Sequence, residues 1–268
     1  SDLADVRRAG HEVLVVTSGA VAWGRHICAL ASDFRISVPH RRIFQEDPRT
    51  VRKQVLAAVG QAHLIAGYTS ALAERGITAA QLLVNRQDWA DQRRYEGLQT
   101  VTSTLLAQDV LPIFNSNDPL VSDELLLGDN DQLAAVIAMA LKAERLVMLT
   151  TVAAEGDPRI GFSDKSFPAA SEQAARQVAG FGVDATLLDA RSGGTLRRLL
   201  LEDAQEGVHF APAVPHRSLK KSWIWLAGEL KGEIVVSSVV AGYLIENRPV
   251  SILLVGIEQF SGNFAVSD

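Results

Sequence analysis

The sequence predicts an α/β fold with a mostly parallel sheet. Short apolar runs of strand length alternate with longer stretches of helical period, a pattern typical of βαβ units. Hydrophobic residues make up 47% and charged residues 21% of the 268 positions, which is the balance of a globular protein with a buried core. The sequence shows no internal repeat of solenoid length, so a repeat protein is excluded.

The first half of the chain alternates regularly between strands and helices. Residues 3–9 are predicted to be the end of a helix that stops at Gly10. The mostly apolar residues 12–16 are predicted to form a buried strand that leads into another helix. Apolar residues recur at helical spacing from 49 to 75. The same alternation predicts a strand at 77–84, a polar link, a helix at 91–108, a strand at 110–114, a helix at 130–143 and a strand at 145–150.

The pattern dissolves after this point and then resumes. Residues 152–171 are rich in Gly, Pro, Asp, Ser and Lys, which predicts a loop or lid. We expect a helix from Glu172, a strand at 185–188 and a helix at 195–201.

A basic segment rich in Pro and Ser, residues 212–221, marks a domain boundary. We therefore predict one domain at 1–215 and a linker with a small, partial β-rich segment at 216–268. Strand-like runs in this segment occupy residues 233–236 and 251–257.

Charge and cysteine content exclude several function classes. The chain has 26 Lys and Arg against 31 Asp and Glu, a formal net charge of -5, which disfavours nucleic acid as a partner. Its single cysteine, Cys28, permits neither an internal disulfide framework nor a Cys-based zinc site. No secretory signal is recognisable, and the most apolar stretch, residues 133–141, falls short of the roughly 20 residues that span a bilayer. We expect a cytoplasmic protein with no membrane partner.

The first candidate binding element is the loop Thr17-Ser18-Gly19-Ala20. It joins a buried strand to a helix, where backbone N–H groups favour a carboxylate or a phosphate and Gly19 permits close approach. The alternative is a simple strand-to-helix turn capped by Ser18.

Polar residues also follow the strand at 110–114 and open the helix at 130–143. Asn115 and Asp118 come after the strand, and Asp129, Asn130 and Asp131 stand at the helix start. Ligands of open α/β sheets bind beyond the carboxyl ends of the strands, so these side chains and Ser18 can line one crevice.

The carboxylates in this stretch would repel one another without a cation. Magnesium bound with substrate phosphates, or the ammonium group of an amino acid, would supply the positive charge. The alternative is that Asp129 and Asn130 merely cap the helix.

Four segments together resemble the glutamate 5-kinases of the amino acid kinase family. They are residues 14–22, 56–61, 113–118 and 128–131, and their order and spacing extend the similarity over most of the chain. The resemblance implies a three-layer α/β/α sandwich. Residues 232–264 are similar to the start of the PUA domain that such enzymes append.

The resemblance also implies an activity, the first step of proline biosynthesis. Such enzymes transfer the γ-phosphoryl group of ATP, with Mg²⁺, to the side-chain carboxylate of L-glutamate. Bacterial members use proline as a feedback inhibitor and assemble as homo-oligomers, and we expect both properties here.

Site residues follow from the same resemblance. Asp118 would pair with the substrate ammonium, and Asp131 would organise the cationic groups around the transferred phosphoryl. The remaining substrate-binding residues would be Ser18, Gly19, Ala20, Asn115, Asp129 and Asn130.

The nucleotide side departs from the family pattern. Thr150-Thr151 replaces the family's Thr-Asp pair and is the predicted nucleotide-binding position, whereas Lys165 is the nearest candidate for a phosphate-binding lysine, with a solvated loop lysine as the alternative. The similarity begins in the helix after the family's first strand, so the kinase-like domain is expected to lack that strand and its lysine. Two readings stay open: an active kinase, or a pseudokinase that senses glutamate or proline or serves as a partner subunit.

Overall fold

The computed structural model describes residues 2–30, 47–118, 130–150, 167–212, 232–245 and 252–262. The chain divides into two compact units, Ser1–Leu226 and Ala227–Asp268. The predicted boundary at 215/216 lies outside the described residues and stays a prediction.

Three parallel strands form the first sheet of the first unit, in the order β1-β3-β2. These strands are β1 (Val15–Val16), β2 (Ala79–Val84) and β3 (Leu111–Ser116). Because all three run in the same direction, their carboxyl ends meet at one edge of the sheet. The surrounding helices are α1 (Asp2–Arg8), α2 (Ala20–Leu30), α3 (Pro48–Ala73), α4 (Arg86–Ala90), α5 (Gln92–Ala107) and α6 (Asn130–Ala140).

Helices cover both faces of this sheet. Side chains alternate between the faces along each strand, so Phe114 and Ile113 point to opposite sides. Phe114 packs with Tyr95 of α5 and Ile137 of α6, whereas Ile113 belongs to the cluster that contains Leu72 of α3. The resulting three layers confirm the predicted α/β/α class.

The second sheet has the order β4-β5-β6. It contains β4 (Arg145–Thr150), β5 (Asp184–Asp189) and β6 (Val208–Phe210), with α7 (Ala169–Gly180) and α8 (Thr195–Leu201) in the same region. Among the described strands of the first unit, β6 alone runs antiparallel to its neighbour. The prediction of a mostly parallel arrangement is therefore confirmed.

Helix α6 lies between the two sheets and is buried on every side. Residues 133–140 are all buried. Leu133 and Ile137 belong to the core of the first sheet, and Ala135 and Met139 to that of the second. One helix thus joins both halves of the unit.

The last turn of α6 is held by α5. The hydroxyl of Tyr95 donates to the carbonyl of Ala140 at 3.3 Å, and Gln99 Nε2 donates to the same oxygen at 2.7 Å. Burial raises the pKa of Tyr95. These bonds satisfy a carbonyl that a helix end would otherwise leave without a partner.

Two glycines let α2 and α3 approach closely. A Cβ on Gly24 would lie 1.9 Å from the Leu56 carbonyl oxygen, and one on Gly60 would lie 1.8 Å from the Ala20 carbonyl oxygen. Both contacts are with backbone, which cannot rotate away as a side chain can.

Among the described helices α3 is also long and apolar enough to cross a membrane, but core helices pass that test as well.

The start of α3 is specified by local sequence. Pro48 begins the helix, where its missing N–H costs nothing, and the Asp47 side chain accepts a hydrogen bond from the Arg49 N–H at 3.1 Å.

The second unit has a two-stranded antiparallel sheet of β7 (Gly232–Val236) and β8 (Ile257–Gly262), with α9 (Ser238–Ile245) between them in sequence. The predicted strand at 251–257 is wrong, because Leu254–Gly256 forms a 3₁₀ turn and β8 begins only at Ile257. Gly256 lies where a Cβ would be 2.7 Å from a methyl group of Val240, so this turn packs tightly on α9.

Three further described elements were not predicted. The polar link after β2 contains α4, which is stabilised by a capping box: Asn85 accepts from the N–H groups of Gln87 and Asp88, and the Asp88 carboxylate accepts from the Asn85 N–H. The others are β6, a three-residue antiparallel edge strand, and α9.

We predict that Gly60→Ala destabilises the first unit, because the added methyl group forces the α2 and α3 backbones apart. The expected loss is about 1–3 kcal/mol or more, measured by chemical denaturation. Gly67→Ala is the matched control, since it lies on α3 with open space around its Cβ position. That variant should be neutral or up to about 1 kcal/mol more stable, and equal losses in the two variants would contradict close packing at Gly60.

Candidate functional site

The ends of β1 and β3 bring the first candidate residues to one edge. Val16 lies opposite Phe114, and the N–H of Thr17 donates to the Phe114 carbonyl at 2.9 Å. The ladder therefore places the Ser18-Gly19 turn beside the end of β3. Gly19 has φ +101, a left-handed conformation that suits glycine at this turn.

Hydrogen bonds to α3 fix this edge from one side of the sheet. Thr17 Oγ1 donates to the hydroxyl of Tyr68 at 3.0 Å. Asn115 is 2% exposed, and its Nδ2 donates to Gln61 Oε1 at 2.7 Å while its Oδ1 accepts from the Ser116 N–H at 2.9 Å. An asparagine amide retains one further N–H and one lone pair after these two bonds.

Asp118 follows β3 and is partly buried. The preceding residue is anchored, because the Asn117 N–H donates to the Val84 carbonyl at 2.9 Å. The carboxylate thus stands just beyond the carboxyl edge of the first sheet.

Helix α6 begins with two of the predicted residues, Asn130 and Asp131, both partly buried. The hydroxyl of Ser171 donates to Asp131 Oδ2 at 2.5 Å. Ser171 is 1% exposed and lies in the first turn of α7, so the starts of two helices meet here. Helix N-termini carry partial positive charge and favour anionic groups.

The carboxyl ends of β4 and β5 form the corresponding edge of the second sheet. The carbonyl of Thr150, the last residue of β4, accepts from the Ala190 N–H at 2.9 Å. Asp189 ends β5 with only 8% of its surface exposed and forms an ion pair with Arg191. The hydrogen bonds and the charge of that carboxylate raise the pKa of Arg191.

The connecting helices place the carboxyl edges of the two sheets at the same end of the unit. α6 runs from the carboxyl edge of the first sheet and is followed, five residues after Ala140, by the start of β4. α7 likewise leads back to the start of β5. Because both helices run against the strands, their first turns lie at the carboxyl ends, where Asp131 and Ser171 meet.

The two groups of predicted residues occupy different faces of the first sheet. Asn115 faces α3, whereas Asn130 begins α6 on the other face. A ligand that touches both must lie across the carboxyl edge. Asp129, Thr151 and Lys165, and most of the predicted loop at 152–171, lie outside the described residues.

Gln61, Ser171 and Arg191 are not among the site residues predicted from the sequence. Gln61 lies in the segment 56–61 that carries the resemblance, but its partner Asn115 is distant in sequence, as Asp131 is from Ser171, and no local pattern reveals these pairs. Arg191, by contrast, comes two residues after a buried strand, as Asp118 does. That position is a signal in the sequence from which a site residue could have been predicted. Within the described ranges, no cluster of three His, Cys, Asp or Glu side chains could hold a metal ion.

Comparison with known proteins identifies the family. The sequence model described as "Amino acid kinase family" matches residues 1–192 of the 268. The chain belongs to the amino acid kinase family. The family resemblance drawn from the sequence motifs is therefore confirmed.

Within the amino acid kinases, the chain is similar to curated proteins named glutamate 5-kinase. It is 34% identical to that of Prochlorococcus marinus (strain MIT 9313) over an alignment 289 residues long, which covers 97% of this chain and 76% of the relative. The protein of Bifidobacterium animalis subsp. lactis (strain AD011) is 32% identical over 294 residues, covering 99% and 73% respectively. For Paracoccus denitrificans (strain Pd 1222) the identity is 32% over 293 residues, covering 100% and 75%.

Among solved structures, isopentenyl phosphate kinase aligns with a TM-score of 0.49 and 16% sequence identity. The alignment covers 78% of this chain and 87% of that chain.

We predict that Gln61→Met destabilises the amino acid kinase unit by about 1–3 kcal/mol, because it leaves the buried Asn115 amide without its acceptor. Gln173→Met, on the exposed surface of α7, should change stability by less than about 0.5 kcal/mol. Urea unfolding of both variants measures the difference. If Gln61→Met behaves like the surface variant, the Asn115 to Gln61 bond does not hold this edge together.

Proposed function

We propose that this chain is a glutamate 5-kinase, which transfers the γ-phosphoryl group of ATP to the side-chain carboxylate of L-glutamate. The observation that supports this most is the shared carboxyl edge, where the ends of β1 and β3 adjoin the start of α6. This edge offers carboxylate, amide and backbone N–H groups to an amino acid. Membership of the family and similarity to curated glutamate 5-kinases support the same substrate.

The glutamate would lie across the edge of the first sheet. Asp118 pairs with its ammonium group, while backbone N–H groups of Ser18, Gly19 and Ala20 face a carboxylate. The remaining predicted contacts are Asn115, Asp129 and Asn130. Asn115 still has one N–H to donate, and Gln61 keeps its amide in place.

In the reaction a side-chain carboxylate oxygen of glutamate attacks the γ-phosphorus of ATP. A new oxygen–phosphorus bond forms, the bond to the β-phosphate oxygen breaks, and ADP leaves with that electron pair. The product is an acyl phosphate. Catalysis of this kind consists almost wholly of positioning and charge neutralisation.

The described residues fit a magnesium nucleotide as the second substrate. Mg²⁺ is usually held by one or two carboxylates together with substrate phosphates, so a three-residue metal cluster is not needed. Asp131 would orient the cations, and its carboxylate accepts a hydrogen bond from the Ser171 hydroxyl. Thr150, Thr151 and Lys165 are the proposed nucleotide contacts. The partial positive charge at the N-termini of α6 and α7 would favour the negative phosphate groups.

As a glutamate 5-kinase the chain would act in the cytoplasm, at the first step of proline biosynthesis. Feedback inhibition by proline and assembly into homo-oligomers belong to the same proposal.

The proposed activity predicts that ADP forms only when ATP, MgCl₂ and L-glutamate are all present. Hydroxylamine should trap the acyl phosphate as a hydroxamate in equal amount, and L-aspartate, one methylene shorter, should react poorly. Coupled ADP detection and the hydroxamate colour reaction measure the two products. Binding of L-glutamate without formation of ADP would contradict the kinase function and favour the sensor alternative.

Recognition of the substrate ammonium predicts the effect of Asp118→Asn. This isosteric change removes the charge and should weaken L-glutamate binding by about ten- to a hundredfold, as measured by calorimetry. Asp203→Asn is the control, because it alters net charge equally at an exposed residue whose left-handed backbone (φ 50) accepts asparagine. Unchanged affinity in Asp118→Asn would remove Asp118 from the site.

A further inference from the structure

We infer that Arg191 binds the phosphate groups of the nucleotide, a role that rests on the proposed kinase function. This residue stands in the turn that follows β5, two positions after the last strand residue, Asp189. The turn adjoins the end of β4, because the Ala190 N–H donates to the Thr150 carbonyl. Arg191 therefore lies at the carboxyl edge of the second sheet, where the proposed nucleotide contact Thr150 also lies.

The guanidinium of Arg191 is held in place by a buried carboxylate. Its Nε donates to Asp189 Oδ1 and one Nη donates to Oδ2, each at 3.1 Å. The Arg191 backbone N–H donates to Oδ1 as well, at 3.1 Å. Two parallel charge-assisted bonds fix both the plane and the direction of the group.

The same geometry leaves donors for a ligand. A guanidinium has five N–H groups, and the Asp189 side chain uses two of them. The Arg191 side chain is 54% exposed, whereas that of Asp189 is 8% exposed. The unused donors are therefore available to solvent on a group whose orientation is already set, which suits a phosphate oxygen.

The turn itself is braced. The Ser192 N–H donates to the Asp189 carbonyl at 3.1 Å, and Thr195 Oγ1 donates to the Ser192 carbonyl at 3.0 Å. A charged group on such a turn loses little freedom when it binds a ligand. Asp189 acts here as a positioning residue.

A second ion pair on the same two strands provides the control. Arg145 begins β4 and pairs with Asp184 at the start of β5, with Nη to Oδ distance 3.4 Å. It is likewise an arginine–aspartate pair, joined by one contact, and it lies at the amino end of the strands, away from the carboxyl edge.

Calorimetric titration of the full chain with ADP and with adenosine tests the inference. Arg191→Gln should weaken ADP binding by about tenfold or more, the usual effect of losing a hydrogen bond to a charged group, and should leave adenosine binding unchanged. Arg191→Lys should fall between, because it keeps the charge but loses the planar fork. Arg145→Gln should bind both compounds as the unaltered chain does.

Removing Arg191 takes one cation away from the buried Asp189 carboxylate. If Arg191→Gln does not fold, the double variant Asp189→Asn/Arg191→Gln removes both charges and should show the same selective loss of ADP affinity. Full ADP affinity in a folded variant would overturn the inference and assign Arg191 a purely structural role, with the kinase proposal intact. An unaltered chain that binds neither compound would overturn both.

Discussion

Burial of α6 on all sides is the constraint from which the site follows. A helix that contacts two sheet cores through residues 133–140 cannot shift without opening both. Its first turn is therefore fixed relative to the ends of β1 and β3 on one side and to α7 on the other. The Asp131 to Ser171 hydrogen bond lies at this fixed point, between the residues proposed to bind the amino acid and those proposed to bind the nucleotide.

The second constraint is the approach of α2 to α3. Gly24 and Gly60 bring the two helix backbones into direct contact, and α2 begins at Ala20, at the end of the Ser18-Gly19 turn. The same α3 supplies Gln61 to Asn115 and Tyr68 to Thr17. One helix thus positions the loop and the strand end that are proposed to face glutamate.

Much of this arrangement could be predicted from the sequence. The apolar strands and α6 produce strong patterns, and polar residues at strand ends point to a site because parallel strands share an edge. What the patterns did not reveal depends on distant partners. Gln61 is an ordinary helix residue until Asn115 is known to face it, and Ser171 gains a role only because α7 begins beside α6.

Local rules also explain the missed elements. α4 is specified by the Asn85 and Asp88 capping box, a signal in the sequence that the surrounding polar residues obscured. β6 is three residues long and is stabilised by pairing with β5, so its own pattern is weak. The C-terminal run at 251–257 is apolar enough for a strand, but its tight turn at Gly256 is set by packing against Val240.

In the proposed site the two substrates bind at different strand ends, and both contact the first turn of α6. Amide hydrogen exchange, followed by mass spectrometry with L-glutamate alone and with ADP alone, tests it most directly. L-Glutamate should slow exchange at residues 17–20 and 115–118, ADP at residues 189–194, and each of them at the first turn of α6. Protection of the same strand ends by both ligands, or of neither set, would contradict the account.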